Sequence, residues 1–242
     1  MSTASHTPPA IVSKEEWLKA RVDILNEEKA LSKATAALAA KRRNLPWVLI
    51  PDYTLDGPDG ATQLSALFHG DVDTLIVYHM MMGTAATRPC EICSFFIDGF
   101  QGGLPHLAPR SSFAVVAKAP YAIMATACAA KEWQSVQLFS AGESTFNEDM
   151  GVSWTPEQAE AKDRPYNYGR QWPWGTEGPG LSVFKRDRSA NGGAGAVYHS
   201  YSTFSAGLGS LSLVLSMLDL TPEGRGEEGG KNMWWVKHKE QY

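Results

Sequence analysis

The run Asp73-Thr-Leu-Ile-Val-Tyr-His79, almost continuously apolar and rich in β-branched and aromatic residues, sets the tightest limit on how this chain folds. A strand of that composition belongs where both faces are covered, at the centre of a sheet flanked by helices. Two similar runs, Ser112–Ala117 and Val136–Phe139, recur at intervals filled by the helix-compatible segments Ser94–Asp98 and Tyr121–Trp133. Alternation at this spacing predicts a parallel α/β core. Leu181–Lys185 and Ala196–Tyr201 flank the turn-prone Ala190-Asn-Gly-Gly193 and predict an antiparallel hairpin, which makes the sheet mixed. Gly99, Gly102 and Gly103 are expected to break the helix that continues through Ser94–Asp98. Gly207–Leu218 reads as a last apolar helix, and a polar, Gly-rich tail from Leu220 ends in Trp234, Trp235 and Tyr242.

Upstream of the core, Ser13-Lys-Glu-Glu16 has the spacing of a capping box, so a helix should begin near Lys14. Trp17, Leu18, Val22, Leu25, Leu31 and Leu38 follow a rough helical spacing, and Pro46 stops the helix near Arg43. Such a long amphipathic helix must pack on the domain or on a partner chain. Trp47–Ile50 and Asp52–Leu55 read as extended, Asp56–Gly60 as a turn and Leu64–Phe68 as a short helix. The chain thus divides into an extension (1–45), an α/β domain (46–222) and a tail (223–242), with an insertion at about 141–180. That insertion holds Trp154, Tyr166, Tyr168, Trp172 and Trp174 among prolines and glycines. Long irregular connections are usually functional or interfacial. A lid or dimer contact is favoured over ligand stacking, because aromatic side chains most often serve burial.

The chemistry-bearing motif follows the first strand. A loop from Met80 to Pro89 leads into Cys90-Glu-Ile-Cys93, a C-x-x-C pair between a buried strand and a helix start. Cys90 is expected at the first turn, where unpaired amides and the helix dipole favour a thiolate, and Cys93 one turn on lies on the same face. The first thiolate attacks a disulfide and the second resolves the mixed disulfide. Glu91 opposes thiolate formation at Cys90 while the helix end favours it, so the net shift has no sign from sequence; a mild, reductase-type couple is the expectation. The alternatives are half of a zinc site, completed by Cys128 and one of His79, His106 or His199, and inert packing. No second C-x-x-C or H-x₃-H accompanies the pair, so no metal and no cofactor are expected. Cys128, in the apolar stretch Ile123–Ala130, is expected to be a buried, inert thiol.

With 242 residues, 43% of them hydrophobic and 20% charged, the chain can bury a core without disulfide staples, and three cysteines are too few for a disulfide scaffold. A net charge of −4 gives no electrostatic reason to bind nucleic acid or anionic membranes. The Ser-, Thr- and Pro-rich start lacks the features of a secretory signal, and no apolar run approaches membrane-spanning length, so a cytoplasmic location is expected. Nothing in the sequence provides a Ser-His-Asp arrangement, a phosphate-binding Gly loop or H-E-x-x-H.

Asp52–Leu55, Leu64–Phe68, Ile76–Met80 and Cys90–Ser94, followed by Phe146–Asp149, Tyr166–Tyr168, Ser182–Phe184, Tyr198–Ser202 and Leu218–Arg225, resemble a bacterial thioredoxin-like family of predicted dithiol-disulfide oxidoreductases over nearly the whole chain. The resemblance implies a peroxiredoxin-type layout of the thioredoxin fold, with an N-terminal extension and a central sheet carrying the dithiol. The Trp-Cys-Gly-Pro-Cys of ordinary thioredoxins is absent. Thioredoxin folds also set a cis-proline beside the dithiol; Pro179 has the right place in element order and Pro120 is the alternative, although a trans proline in a loop is the commoner state. His199, between Tyr198 and Tyr201, is a candidate proton carrier near the dithiol, weighed against a histidine simply hydrogen-bonded at a sheet surface. Pro179, His199 and Tyr201 are therefore the candidate neighbours of Cys90 and Cys93. The leading function is dithiol-disulfide exchange with an unidentified disulfide substrate and thiol electron donor. A non-enzymatic interaction or assembly protein, including a homodimer, and a peroxide reductase are the alternatives.

Overall fold

The computed structural model describes residues 9–193, 195–227 and 232–242. The chain forms two compact units that meet in sequence at Pro46 and Trp47. The first holds helix α1 (Lys14–Arg43), which starts as the sequence predicts: Ser13 Oγ accepts from the Glu16 N–H at 3.2 Å, and the Glu16 carboxylate accepts from the Ser13 N–H at 3.0 Å. Glu15 and Glu16 in the first turn and Lys41, Arg42 and Arg43 in the last oppose the helix dipole.

The second unit is built on one eight-stranded sheet. Its strands are β1 (Val48–Ile50), β2 (Thr54–Gly57), β3 (Gly60–Gln63), β4 (Thr74–His79), β5 (Ser112–Ala117) and β6 (Gln137–Ser140), with β9 (Gly180–Asp187) and β10 (Ala196–Phe204). The order is β1-β10-β9-β4-β5-β6-β2-β3. β4, β5 and β6 are parallel, whereas β9 pairs antiparallel with β4 and β10 antiparallel with β9. The two-stranded β7 (Pro165–Tyr166) and β8 (Arg170–Gln171) belong to the insertion. Helices α2 (Glu91–Gln101), α3 (Leu104–Leu107), α4 (Tyr121–Cys128), α5 (Phe146–Asp149), α6 (Pro156–Glu160) and α7 (Leu213–Leu218) complete the unit. A cysteine-bearing helix after the central strand, parallel neighbours on one side and an antiparallel hairpin on the other make this a thioredoxin-like fold. The β2–β3 hairpin beyond β6 gives it the peroxiredoxin-type layout.

The composition of β4 explains its place. Leu75 and Val77 pack into one apolar layer with Phe146, Phe184 and Phe204; Ile76 and Tyr78 pack into the other with Cys93, Phe96, Ile97 and Met124. A strand covered on both faces can carry apolar residues at every position. Three aromatics of the insertion serve burial, Trp154, Tyr166 and Trp172 in the first layer, with Tyr166 and Trp172 ring centres 4.9 Å apart, while Tyr168 and Trp174 are exposed.

Several expected boundaries move. Gly99 lies inside α2, and Gly102 caps it, because the apolar face of α2 continues past Gly99 to Phe100. The segment Tyr121–Trp133 is helical only to Cys128, then tightens to a 3₁₀ turn that Glu132 ends with φ +57°. Gly207–Leu218 is two pieces, a 3₁₀ stretch Ser205–Leu211 and α7, because Ser212 caps α7 by accepting from the Leu215 N–H. The tail is not loose among its described residues. Val236 and His238 are buried, Met233 and Trp235 pack on the second layer, and Trp235 meets Phe95 of α2 edge-on. No helix among the described residues is long and apolar enough to cross a membrane.

Candidate active site

The dithiol sits where the loop after β4 is pinned to the end of β5. The Met80 N–H donates to the Val116 carbonyl at 2.9 Å, and the Ala119 N–H to the Met82 carbonyl at 2.8 Å. The Cys90 N–H donates to the Met81 carbonyl at 3.1 Å, which fixes Cys90 as the extended N-cap of α2. Cys90 is half-buried; Cys93, one turn inside, is fully buried. Its Sγ accepts from the Met81 N–H at 3.3 Å. Behind it lies Tyr78, whose buried hydroxyl has no well-formed hydrogen bond and faces the Cys93 thiol.

These positions split the two thiols. The Cys93 thiol donates to Cys90, and the N–H groups of Cys93 and Ile92 at the open helix end add to it; together they outweigh burial and the charge of Glu91 and bring the Cys90 pKa down to about 6. Burial, together with the neighbouring Cys90, pushes Cys93 well above the ordinary thiol range. Burial raises Cys128 to about 11. Glu91 weighs less on Cys90 than either of the two N–H groups, so the helix end prevails over it.

Pro179 is buried just before β9, where Gly180 pairs with His79 at the end of β4. Its carbonyl accepts from the Tyr166 hydroxyl, which in turn accepts from the Ser205 N–H at 3.0 Å. Cys93 lies near enough to Tyr166 to act on its hydroxyl electrostatically, so Tyr166 joins this end of the site. Pro120 instead caps α4. No peptide bond among the described residues is cis.

His199 is hydrogen-bonded within the sheet, beside Phe184. A β-bulge between His199 and Tyr201 pairs them with Phe184 and Val183, adjacent residues of β9 that face opposite layers. His199 therefore shares the first layer with Phe184, while Tyr201 turns toward the layer that holds Cys93. His199 Nε2 meets Ser202 Oγ at 2.7 Å, Ser202 meets Ser182 at 2.8 Å, and Ser182 meets His79 Nε2 at 2.8 Å. His79 Nδ1 closes the chain on Asn147 Oδ1 at 3.3 Å. This buried polar chain accounts for both histidines.

Sequence reasoning missed one further group on the dithiol loop. Glu177 Cγ lies 3.6 Å from the Cβ position of Gly83, and its carboxylate accepts from Ser153 Oγ at 2.5 Å. Burial lifts its pKa to about 8. Lys118, nearby at the end of β5, pairs with Glu148 at 2.8 Å. No local motif marks Glu177; only the folding of the insertion over the loop buries it. Among the described residues, no group of three or more His, Cys, Asp or Glu side chains converges to hold a metal ion.

Comparison with known proteins gives one family. The model of the family described as "Bacterial protein of unknown function (DUF899)" matches residues 6–242. No match is found among curated proteins. Among solved structures, the chain is similar to peroxiredoxin Q of Xanthomonas campestris at 16% identity and TM-score 0.45, covering 72% of this chain and 95% of that one. Peroxiredoxin 5 of Alvinella pompejana matches at 12% and 0.45, covering 68% and 94%, and peroxidoxin BcpB of Mycobacterium tuberculosis at 14% and 0.41, covering 58% and 79%.

Proposed function

The chain belongs to this bacterial DUF899 family, and we propose that it acts as a thiol–disulfide oxidoreductase in which Cys90 is the nucleophile and Cys93 the resolving thiol. The observation that supports this most is the asymmetry of the pair: a half-buried thiol lowered to about 6 at a helix N-terminus, backed by a fully buried thiol held well above the ordinary range. Thiolate reactivity needs the first, and a resolving thiol that waits its turn needs the second.

In the forward step, the Cys90 thiolate attacks one sulfur of a substrate disulfide. A Cys90–substrate S–S bond forms, and the other substrate sulfur leaves as a thiolate that takes a proton from water. Consuming the Cys90 charge removes part of what holds Cys93 protonated, while Tyr78 and the Met81 N–H still favour its thiolate. Cys93 then gives up its proton and attacks Cys90 Sγ, expelling the second substrate thiolate. The substrate gains two electrons and the protein holds a Cys90–Cys93 disulfide, which an external thiol donor reduces. Both electrons travel through sulfur, so the cycle needs no cofactor, and a reducing cytoplasm suits the return step.

Trapping with the single-cysteine variants tests the assignment. Cys93→Ser should accumulate a mixed disulfide with a disulfide probe, because attack proceeds and resolution does not; Cys90→Ser should accumulate little. A mixed disulfide that forms only in Cys90→Ser would reverse the roles. Rapid Cys90 sulfenic acid formation with peroxide, alongside no reaction with disulfides, would replace this reading with peroxide reduction.

A further inference from the structure

The C-terminal residues line a cavity of about 300 Å³ together with Arg88, Pro89 and Lys131, with His238 and Glu240 on the C-terminal side. Lys131 is 7% exposed, and its Nζ donates to His238 Nδ1 at 2.9 Å and to the two Glu240 oxygens at 2.8 and 3.0 Å. An ammonium group only donates, so Nδ1 is the acceptor and the ring proton of neutral His238 sits on Nε2. That Nε2–H is buried and has no hydrogen-bond acceptor among the described residues, in a residue that is 1% exposed. A buried donor without a partner is costly, and an acceptor that reached it would remove that cost. Arg88 adds a second cation on this wall, with Glu91 only at 4.0 Å. Lys239 is occupied by Glu132 at 2.7 Å. The carboxylate in the cavity wall is that of Glu240, whose side chain is 57% exposed and can leave Lys131 without opening the core.

Resting on the redox reading of Cys90, we propose that this cavity is a carboxylate-binding subsite that seats the acidic group of a small disulfide substrate, with Glu240 as a resident carboxylate that yields Lys131 to it. A carboxylate supplies the acceptor oxygens that His238 Nε2–H and Arg88 lack, and charge-assisted hydrogen bonds make such contacts strong. Pro89 lines the cavity and Cys90 follows it directly, so a carboxylate a few bonds from the substrate sulfur spans from the subsite to the nucleophile. The electron and proton balance is that of the exchange above; the subsite only positions the disulfide.

The test compares two disulfides as oxidants of the reduced full-length protein: 3,3′-dithiodipropionate, with a carboxylate on each arm, and the neutral 2-hydroxyethyl disulfide. Without the subsite, Glu91 and the net charge of −4 make the acidic disulfide the slower one. With it, the ratio of second-order rate constants, acidic over neutral, exceeds one. Arg88→Gln should lower that ratio by about tenfold, the value of one charge-assisted contact. Glu240→Gln should raise it. A ratio below one that neither substitution moves overturns the subsite. If neither disulfide oxidises the protein, the redox reading fails and the subsite is judged alone, in the Cys90→Ser/Cys93→Ser chain titrated with both compounds while the His238 ring is followed by NMR. A saturable shift with dithiodipropionate only, weakened by Arg88→Gln, supports the subsite; an equal response to both compounds, or none, overturns it.

Discussion

Cys90 receives the Cys93 thiol and two backbone N–H groups, and each of these disappears or stays in a predictable way on mutation. Alkylation of Cys90 in the intact chain should follow a titration with a midpoint near 6. Cys93→Ala removes the largest of the stabilising contacts and should move that midpoint up toward 9, whereas Glu91→Gln should move it slightly down. Rates of iodoacetamide modification across pH read both shifts; a midpoint near 9 in the intact chain would contradict the geometry. Glu177 gives a second residue-scale prediction with its sign fixed by linkage. Its folded pKa of about 8 lies above the ordinary 4.5, so between these values the folded state holds a proton that the unfolded chain has lost, and stability falls as pH rises. Glu177→Gln should flatten this slope and stabilise the protein above pH 8 by on the order of 2 to 5 kcal/mol, read from denaturant midpoints at a series of pH values. The place of the two cysteines at a strand-to-helix junction is legible in sequence, because an apolar run followed by a helix start is a local signal. The sign of the Cys90 shift is not, because it depends on which N–H groups aim at one sulfur.

At the scale of elements, β10 shows what local pattern reading misses. Alternation puts His199 and Tyr201 on one face, but the bulge at Ser200 turns them to opposite faces, and no residue in Tyr198-His-Ser-Tyr-Ser202 marks it. The consequence is testable. His199→Gln should leave the pH profile of Cys90 alkylation in place, while a shifted midpoint would return His199 to the dithiol. Ser182→Ala, which cuts the chain between His79 and Ser202, should cost about 1 to 3 kcal/mol in denaturant unfolding, as expected when buried polar groups lose a partner. The start of the long helix α1 and the strands β4, β5 and β9 are legible because a capping box and short apolar runs are local signals. The end of α4 and the split of the last apolar segment were not, since a single left-handed residue, Glu132, and a single cap, Ser212, decide them.

Across the second unit, the C-terminal residues and the aromatic insertion both close on the β4–α2 junction, one through Trp235 and His238 and the other through Tyr166 and Glu177. Neither meeting is visible in composition, because Gly-rich and Pro-rich segments read as loops until long-range packing orders them. The whole arrangement leaves Cys90 the accessible member of a pair and keeps Cys128 apart, buried at the end of α4. Equilibrating the protein in glutathione buffers of graded potential, quenching with acid, then alkylating the unfolded chain and counting labels by mass spectrometry tests that claim most directly. Cys90 and Cys93 should lose their labels together in one transition with a single midpoint, while Cys128 stays labelled throughout; three thiols that label independently of the buffer, or a transition that includes Cys128, would contradict the account.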